Sequence, residues 1–479
     1  MVYDVIIVGS GIIGSSVARF LSQYKGNFLV LEKEDDVSCG TTKANSGIVH
    51  AGFDAKVGSK KAYFNVRGAK MYPHLAKELD FPYEQNGAFV LSFSLDGLKD
   101  LNELLERAKQ NNVSDVTILT GDEIRRIEPN VSKDVKHGLY AKTSGIVSPY
   151  EMCIAMAENA ATNGVDFKFN EKVIDVKKNN NLFVIKTENT TYETKVLINA
   201  AGLYSDEINN MISNEKYHIT PRKGEYVLLD REFESITSKT LFQLPTKMGK
   251  GILVTKTCHG NILVGPTALD INDKDDVSTS YLGLKDVWEK GNLSVNSLPR
   301  GGIITQFSGL RAHEDKNDFT IEWSKDVDGL FNLIGIESPG LASSPAIAEY
   351  TSDEVSKYLS LEKNENFIPT RKAIKRVSSM SDDELRLELS KNEEYGHIIC
   401  RCEVVSEAEI RQAIRRKPGA RDLDGVKRRT RAGMGRCQMG FCTPKIMAIL
   451  AEELKIDIKQ ISKSGHNSRL IVSEIKENK

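Results

Sequence analysis

The segment 3–33, YDVIIVGSGIIGSSVARFLSQYKGNFLVLEK, narrows the possible folds more than any other stretch of the chain. Its unbroken apolar run, Val5-Ile6-Ile7-Val8, has the length and β-branching of a parallel strand buried on both faces. The run stops at Gly9-Ser10-Gly11-Ile12-Ile13-Gly14, a GxGxxG. A segment with helical spacing follows (Val17, Phe20, Leu21), then a second short strand, 28–31, closed by Glu32 and Lys33. Gly9 makes the tight turn, Gly11 lets backbone N–H groups approach a pyrophosphate, and Gly14 lets the helix pack close on the strand. The helix N-terminus adds partial positive charge. Glu32 falls where a ribose diol would donate to it, and its charge opposes a 2′-phosphate. The expected class is α/β, opening on a Rossmann-like dinucleotide-binding domain. By itself the motif does not separate FAD from NAD.

Downstream, Thr41, Thr42, Asn45, Ser46 and Gly47 make a small polar loop suited to a cofactor's phosphates and ribityl chain. His50 follows between glycines and reads first as a satisfied histidine in a turn. The stretch 61–79 reads as a helix with a kink or break near Pro73. From 83 to 142, short strands (GAFVLSFS) and a charged helix at 98–111 suggest an inserted second domain. GIVSPY, 145–150, leads into another helix, 151–163. Strands separated by Asn- and Lys-rich turns then form a meander. It ends in the buried strand Val196-Leu197-Ile198-Asn199-Ala200-Ala201-Gly202, whose small residues let backbone approach a ligand. The region 221–320 is strand-rich and carries KGEY, GPT and Gly309-Leu310-Arg311. An arginine there reads more readily as a surface ion-pair residue than as an anion ligand. The stretch 331–350 is strand, small-residue loop and helix, a second helix N-terminus for a polar group.

Seven cysteines are unevenly placed. Cys400-Arg401-Cys402 and the pair Cys437 and Cys442 give C-x-C and C-x4-C, which suits either zinc or a [2Fe–2S] cluster, with unliganded thiols a third reading. Gly433, Gly435 and Gly440 would let backbone N–H groups reach the sulfurs. Arg401, Arg428, Arg429, Arg431 and Arg436 would offset a cluster's negative charge, or form a solvated basic face. Ser406 to Glu409 is a capping box, and Thr443-Pro444 supplies an N-cap and an N1 proline. An iron–sulfur cluster passes one electron at a time while organic substrates give up two, a conversion that flavin performs and nicotinamide does not. No second GxGxxG follows a strand, so FAD plus cluster is the consistent pair. The formal net charge of -1 removes the electrostatic case for nucleic acid as a partner. No apolar stretch approaches the ~20 residues of a membrane span. The N-terminus enters a strand at once, leaving no room for a signal peptide, so a cytoplasmic protein is expected, peripheral at a membrane only through a partner.

GSGIIG, NSGIVHAG, GIVSP, NAAG, KGEY, GPT, GLR and GIESPGLASSPA together resemble the D-amino-acid-oxidase-like flavoproteins. The nearest branch is that of FAD-dependent glycerol-3-phosphate dehydrogenase and L-2-hydroxyglutarate oxidase. IICRCE and RRTRAGMGRCQMGFC resemble the [2Fe–2S] domain related to bacterioferritin-associated ferredoxin, and the module order is similar to that of anaerobic glycerol-3-phosphate dehydrogenase large subunits. The resemblance implies an FAD domain (1–82, 143–218 and 321–360) interleaved with an α+β substrate domain (83–142 and 219–320). A linker (361–395) and a small helical cluster domain (396–479) with Cys400, Cys402, Cys437 and Cys442 as ligands would follow. It implies His50 beside the flavin ring as general base, Arg311 on the substrate's anionic group, and Val173 on the strand passing the adenine. Gly335, Gly340, Leu341 and Ala342 belong to the segment closing over the isoalloxazine. The implied reaction is oxidation of a small anionic secondary alcohol, foremost sn-glycerol 3-phosphate, by hydride transfer to flavin N5. Electrons would leave through the cluster to a partner subunit or a quinone-linked acceptor. Only Arg311 is evident by motif at the anion site; Lys43, Arg222 and Lys223 lack positional support, which leaves a 2-hydroxy acid or amino acid open as substrate. A non-catalytic electron-transfer subunit is the rival of another class.

Overall fold

The computed structural model describes residues 2–244, 251–465 and 467–473. Strand β1 (Val2–Val8) leads through the glycine turn into helix α1 (Ile12–Leu21) and then β2 (Phe28–Leu31). The two strands pair in parallel, Val5 opposite Phe28 and Val8 opposite Leu31. Val5 and Ile7 pack with Val17 and Leu21 on one face, while Ile6 and Val8 pack with Leu29 and Phe183 on the other. Double-sided burial explains why the run shows no polar alternation, and each such side chain contributes roughly 1.5–3 kcal/mol.

Helix α2 (Lys60–Leu79) is capped by Ser59, whose hydroxyl accepts from the Ala62 amide at 3.1 Å. It runs through Pro73 without the break that was one of the two expectations there. Proline deletes one donor there, but Tyr72, Leu75 and Leu79 are buried and their packing holds the helix together. Helix α3 (Pro149–Thr162) follows, then β3 (Thr191–Asn199), parallel to β1 with Val196 opposite Val5. The meander is present, Val173–Asn179 and Leu182–Thr187 feeding the first half of β3. The second half of β3 pairs in parallel with Leu330–Ile334, completing an eight-stranded sheet.

A second sheet of nine strands comes from residues between 88 and 314. Its spine is the antiparallel pair β4 (Ile219–Leu229) and β5 (Ile303–Glu314), in register from Ile219 opposite Glu314 to Leu228 opposite Thr305. Ile48–Val49, Gly145–Val147 and Tyr83–Glu84 form a small third sheet that pins the chain just before His50. Helix α4 (Gly340–Leu359) returns against α1 and α2. Gly68 of α2 makes this approach possible, because a Cβ there would stand 2.3 Å from the Ala342 carbonyl oxygen.

The C-terminal part has its own core of Cys400, Ile410, Ile414, Val426, Ile446 and Leu450 under α5 (Glu407–Arg415), α6 (Leu423–Thr430) and α7 (Thr443–Leu454). The capping box at Ser406 and Glu409 is formed. At α7 the expectation needs correction: Cys442 is the N-cap and Thr443 the first helical residue, because the Thr443 hydroxyl donates back to the Met439 carbonyl at 2.6 Å. This part docks through Asp36, on the loop after β2, which takes Arg428 at 2.7 Å and Arg429 at 2.6 Å with all three side chains buried. Among the described residues, no helix is long and apolar enough to cross a membrane.

Candidate active site and metal centre

A cavity of about 1740 Å³ opens where the two large sheets and the C-terminal part meet. Pockets for small ligands are ~300–1,000 Å³, so this one has room for a dinucleotide and a substrate together. Gly9, at φ +103, lies on its wall with no space for a side chain, since a Cβ would sit 2.6 Å from the Ala200 carbonyl oxygen. Glu32 faces the cavity with its carboxylate fixed: Oε2 accepts from the Ser10 amide at 2.8 Å and the Ser10 hydroxyl at 2.7 Å. Lys33 stacks its ammonium on the Tyr204 ring at 4.0 Å.

The loop after β2 is seated against the N-terminus of α1, where the Ile12 amide donates to the Thr42 hydroxyl at 2.9 Å. Asn45 donates to the Thr41 and Thr42 carbonyls and accepts from the Gly47 amide at 2.8 Å. The Thr41 hydroxyl donates to the Leu310 carbonyl at 2.7 Å. These side chains therefore shape the loop, and what they offer a cofactor is an ordered backbone. Ser46 meets the Tyr226 hydroxyl at 3.3 Å.

His50 lines the same cavity, its ring stacked on Phe242 at 5.5 Å between centroids. Its carbonyl accepts from Asn65 Nδ2 at 2.6 Å, which ties the loop to α2. Arg311 lies on β5 directly opposite Arg222 on β4, and both reach the cavity. Asp270 binds Arg222 through both carboxylate oxygens, at 2.6 and 3.0 Å. Arg311 donates only to the Thr267 carbonyl, at 3.1 Å, and has no carboxylate partner among the described residues. Lys223 is instead paired with Asp276 at 2.6 Å.

At the cysteines, Cys402 and Cys437 have their sulfurs 3.5 Å apart, and Cys400 is hydrogen-bonded with Cys442. No group of three or more His, Cys, Asp or Glu gathers around one ion position among the described residues. Two pairs of thiols suit two irons with two thiolates each, whereas one tetrahedral zinc would need all four to converge. The Cys442 hydrogen bond, helped by the Gly433 and Glu403 amides, outweighs burial and pulls the Cys400 thiol down to about 6. Gly433, at φ +90, thus delivers its amide to a sulfur as expected. Gly435 packs directly on Cys402, where a Cβ would meet the Cys402 Cβ at 2.3 Å. The arginines were expected to balance the cluster, but most are spent on carboxylates. Arg428 and Arg429 bind Asp36, Arg431 binds Glu403 at 2.8 Å, and Arg436 binds Asp230 at 3.1 Å.

Of the residues singled out from sequence, Gly9, Gly11, Ile12, Ile13, Glu32, Lys33, Thr41, Thr42, Asn45, Ser46, Gly47, His50, Val173, Ala201, Gly202, Arg311, Gly340 and Leu341 line the cavity. Ser10, Gly14, Gly335 and Ala342 do not. Ser10 is turned inward to hold Glu32, and Gly14 lies under Gly9, whose carbonyl oxygen would be 1.9 Å from a Cβ. Gly335 turns the chain at φ +69, and Ala342 is packed under α2. Phe242, Tyr226, the position of Arg222 opposite Arg311, and the contribution of Lys427 and Arg428 to the wall were not anticipated. Strand register and domain docking place them, and neither leaves a local sequence signal.

Residues 4–354 match the family described as FAD dependent oxidoreductase (DAO), and residues 398–452 match the BFD-like [2Fe-2S] binding domain. The chain is 46% identical over 475 residues, 99% of each protein, to a glycerol 3-phosphate dehydrogenase of Caloramator mitchellensis. It is 33% identical over 377 residues to a glycerol 3-phosphate oxidase of Mycoplasma genitalium, covering 76% of this chain and 97% of that one. The structure of dithionite-reduced L-alpha-glycerophosphate oxidase from Mycoplasma pneumoniae, with FAD bound, superposes with a TM-score of 0.74 at 30% identity, covering 78% of this chain and 99% of that chain. The glycine cradle and ordered loop fit FAD, and the paired thiols fit the two-iron cluster. The chain belongs to the DAO family of FAD-dependent oxidoreductases, and its cofactors are FAD and a [2Fe–2S] cluster held by a C-terminal BFD-like domain.

Proposed function

We propose that the protein is a glycerol-3-phosphate dehydrogenase that oxidises the secondary hydroxyl of sn-glycerol 3-phosphate to a ketone, giving dihydroxyacetone phosphate. The observation that carries this reading is the register of β4 and β5, which sets Arg222 and Arg311 directly opposite each other on the cavity wall. Like charges facing one another across a strand pair repel. Asp270 offsets one of them and leaves a net cation facing the cavity. A phosphate dianion suits such a pair better than a single carboxylate, since the Arg311 guanidinium can bind two oxygens while Arg222, with Nε and Nη2 on Asp270, adds positive charge beside it. The full-length similarity to a glycerol 3-phosphate dehydrogenase supports the same substrate.

When bound, FAD accepts a hydride and the cluster passes electrons singly. The rest falls to this chain's side chains. Arg311 and Arg222 hold the phosphate and so fix which carbon of the substrate faces the cofactor. The His50 imidazole takes the hydroxyl proton, and Phe242 keeps its ring oriented. Tyr226, stacked on Phe307 at 4.8 Å, and Phe242 supply apolar walls that exclude water. Cys400, Cys402, Cys437 and Cys442 would hold the cluster, which would supply one-electron transfer to a partner subunit or a quinone-linked acceptor. Anaerobic addition of sn-glycerol 3-phosphate should abolish the oxidised-flavin absorbance, and L-2-hydroxyglutarate should not. Bleaching by L-2-hydroxyglutarate alone would overturn the substrate assignment, and bleaching by neither would favour an electron-transfer subunit.

A further inference from the structure

The cavity wall beside the N-terminus of α1 is shared with the C-terminal domain. Lys427 of α6 and Lys463 line it together with Lys43, the residue after Thr42. None of the three has a carboxylate within ion-pair distance among the described residues. Lys427 is half-buried. Burial pushes its ammonium pKa down, Asp424 opposes this, and Lys463, Arg428 and Lys43 add like-charge repulsion. Arg428 is already committed to Asp36 at 2.7 Å. Cations gathered in a partly desolvated cavity repel one another until an anion joins them. The fold brings such an anion to this place. Gly11 and the start of α1 form the phosphate-binding turn, and Thr42 accepts the Ile12 amide there.

We propose that Lys427 and Lys463 belong to the cofactor site, binding the diphosphate of FAD together with Lys43 and the α1 N-terminus. The cluster-bearing domain then completes the dinucleotide site as well as carrying iron, and loss of FAD weakens its docking. This inference rests on FAD as cofactor and is independent of the substrate's identity.

The test is FAD affinity of the full chain, measured by flavin fluorescence on deflavinated protein with the cluster's visible absorbance as the check on folding. Loss of one charge-assisted contact corresponds to about tenfold. Lys427→Gln and Lys463→Gln should each weaken FAD binding by about that factor, and the double variant by about a hundredfold, with cluster absorbance kept. Lys427→Arg should restore most of the affinity, and Lys445→Gln, exposed on α7, should change nothing. Lys463 is itself exposed, so its variant carries the test if Lys427→Gln fails to fold. FAD affinity within twofold of the parent in the double variant, cluster intact, overturns the proposal. So does a raised substrate KM at unchanged FAD affinity, which would assign these lysines to the substrate's anion.

Discussion

His50 and Arg222 are expected to fail differently when replaced. In the proposed mechanism Arg222 holds the substrate's anion in ground and transition states alike, so Arg222→Leu should raise KM for sn-glycerol 3-phosphate about tenfold or more and change kcat little. His50→Asn removes the proposed proton acceptor and should lower kcat by roughly 10²–10⁴. Steady-state kinetics with both variants separates the roles, and a large kcat loss in Arg222→Leu would contradict them. At this scale the sequence was informative where chemistry is local. The C-x-C and C-x4-C spacing picked out four thiols that lie together in pairs, and NSGIVHAG picked out His50, which lines the cavity. It was silent on how the thiols pair, Cys402 with Cys437 and Cys400 with Cys442, because pairing follows from packing around Gly433 and Gly435.

Among the elements, the β1-α1-β2 unit was legible because its glycines and its period are both short-range signals. The antiparallel spine was not. The facing of Arg222 and Arg311 depends on a register set across the whole second sheet, and Pro73 does not end its helix because side-chain burial outweighs a single lost amide. One contact between elements controls the site: the Ala44 carbonyl oxygen presses on Gly309 of β5, where a Cβ would stand at 1.8 Å. Gly309→Ala must push the 41–47 loop off the strand and, with it, Thr42 from the Ile12 amide. FAD retention through gel filtration should therefore fall sharply in this variant while the cluster's absorbance persists. Unchanged retention would show that the loop does not depend on this contact.

In the whole molecule, Asp36 joins the flavin and cluster parts. Burial would raise its carboxyl pKa, but Arg429 and Arg428 outweigh that and hold it below its ordinary value. A depressed folded-state value means the stabilisation is complete above the ordinary carboxylate pKa of ~3.9 and is lost as pH falls through the folded value. Asp36→Asn leaves two guanidiniums buried, with both Nε atoms already unpartnered, and should cost about 3–5 kcal/mol in chemical denaturation at neutral pH. The larger consequence of that joint is electronic, since reducing equivalents that enter as a pair at one cofactor leave singly at another held in the same chain. The direct measurement is anaerobic rapid mixing with sn-glycerol 3-phosphate at two protein concentrations, following flavin absorbance and the cluster's EPR signal together. The account predicts that flavin bleaching is followed by cluster reduction at a rate independent of protein concentration. Bleaching with no cluster signal, or a cluster rate that scales with protein concentration, would contradict it.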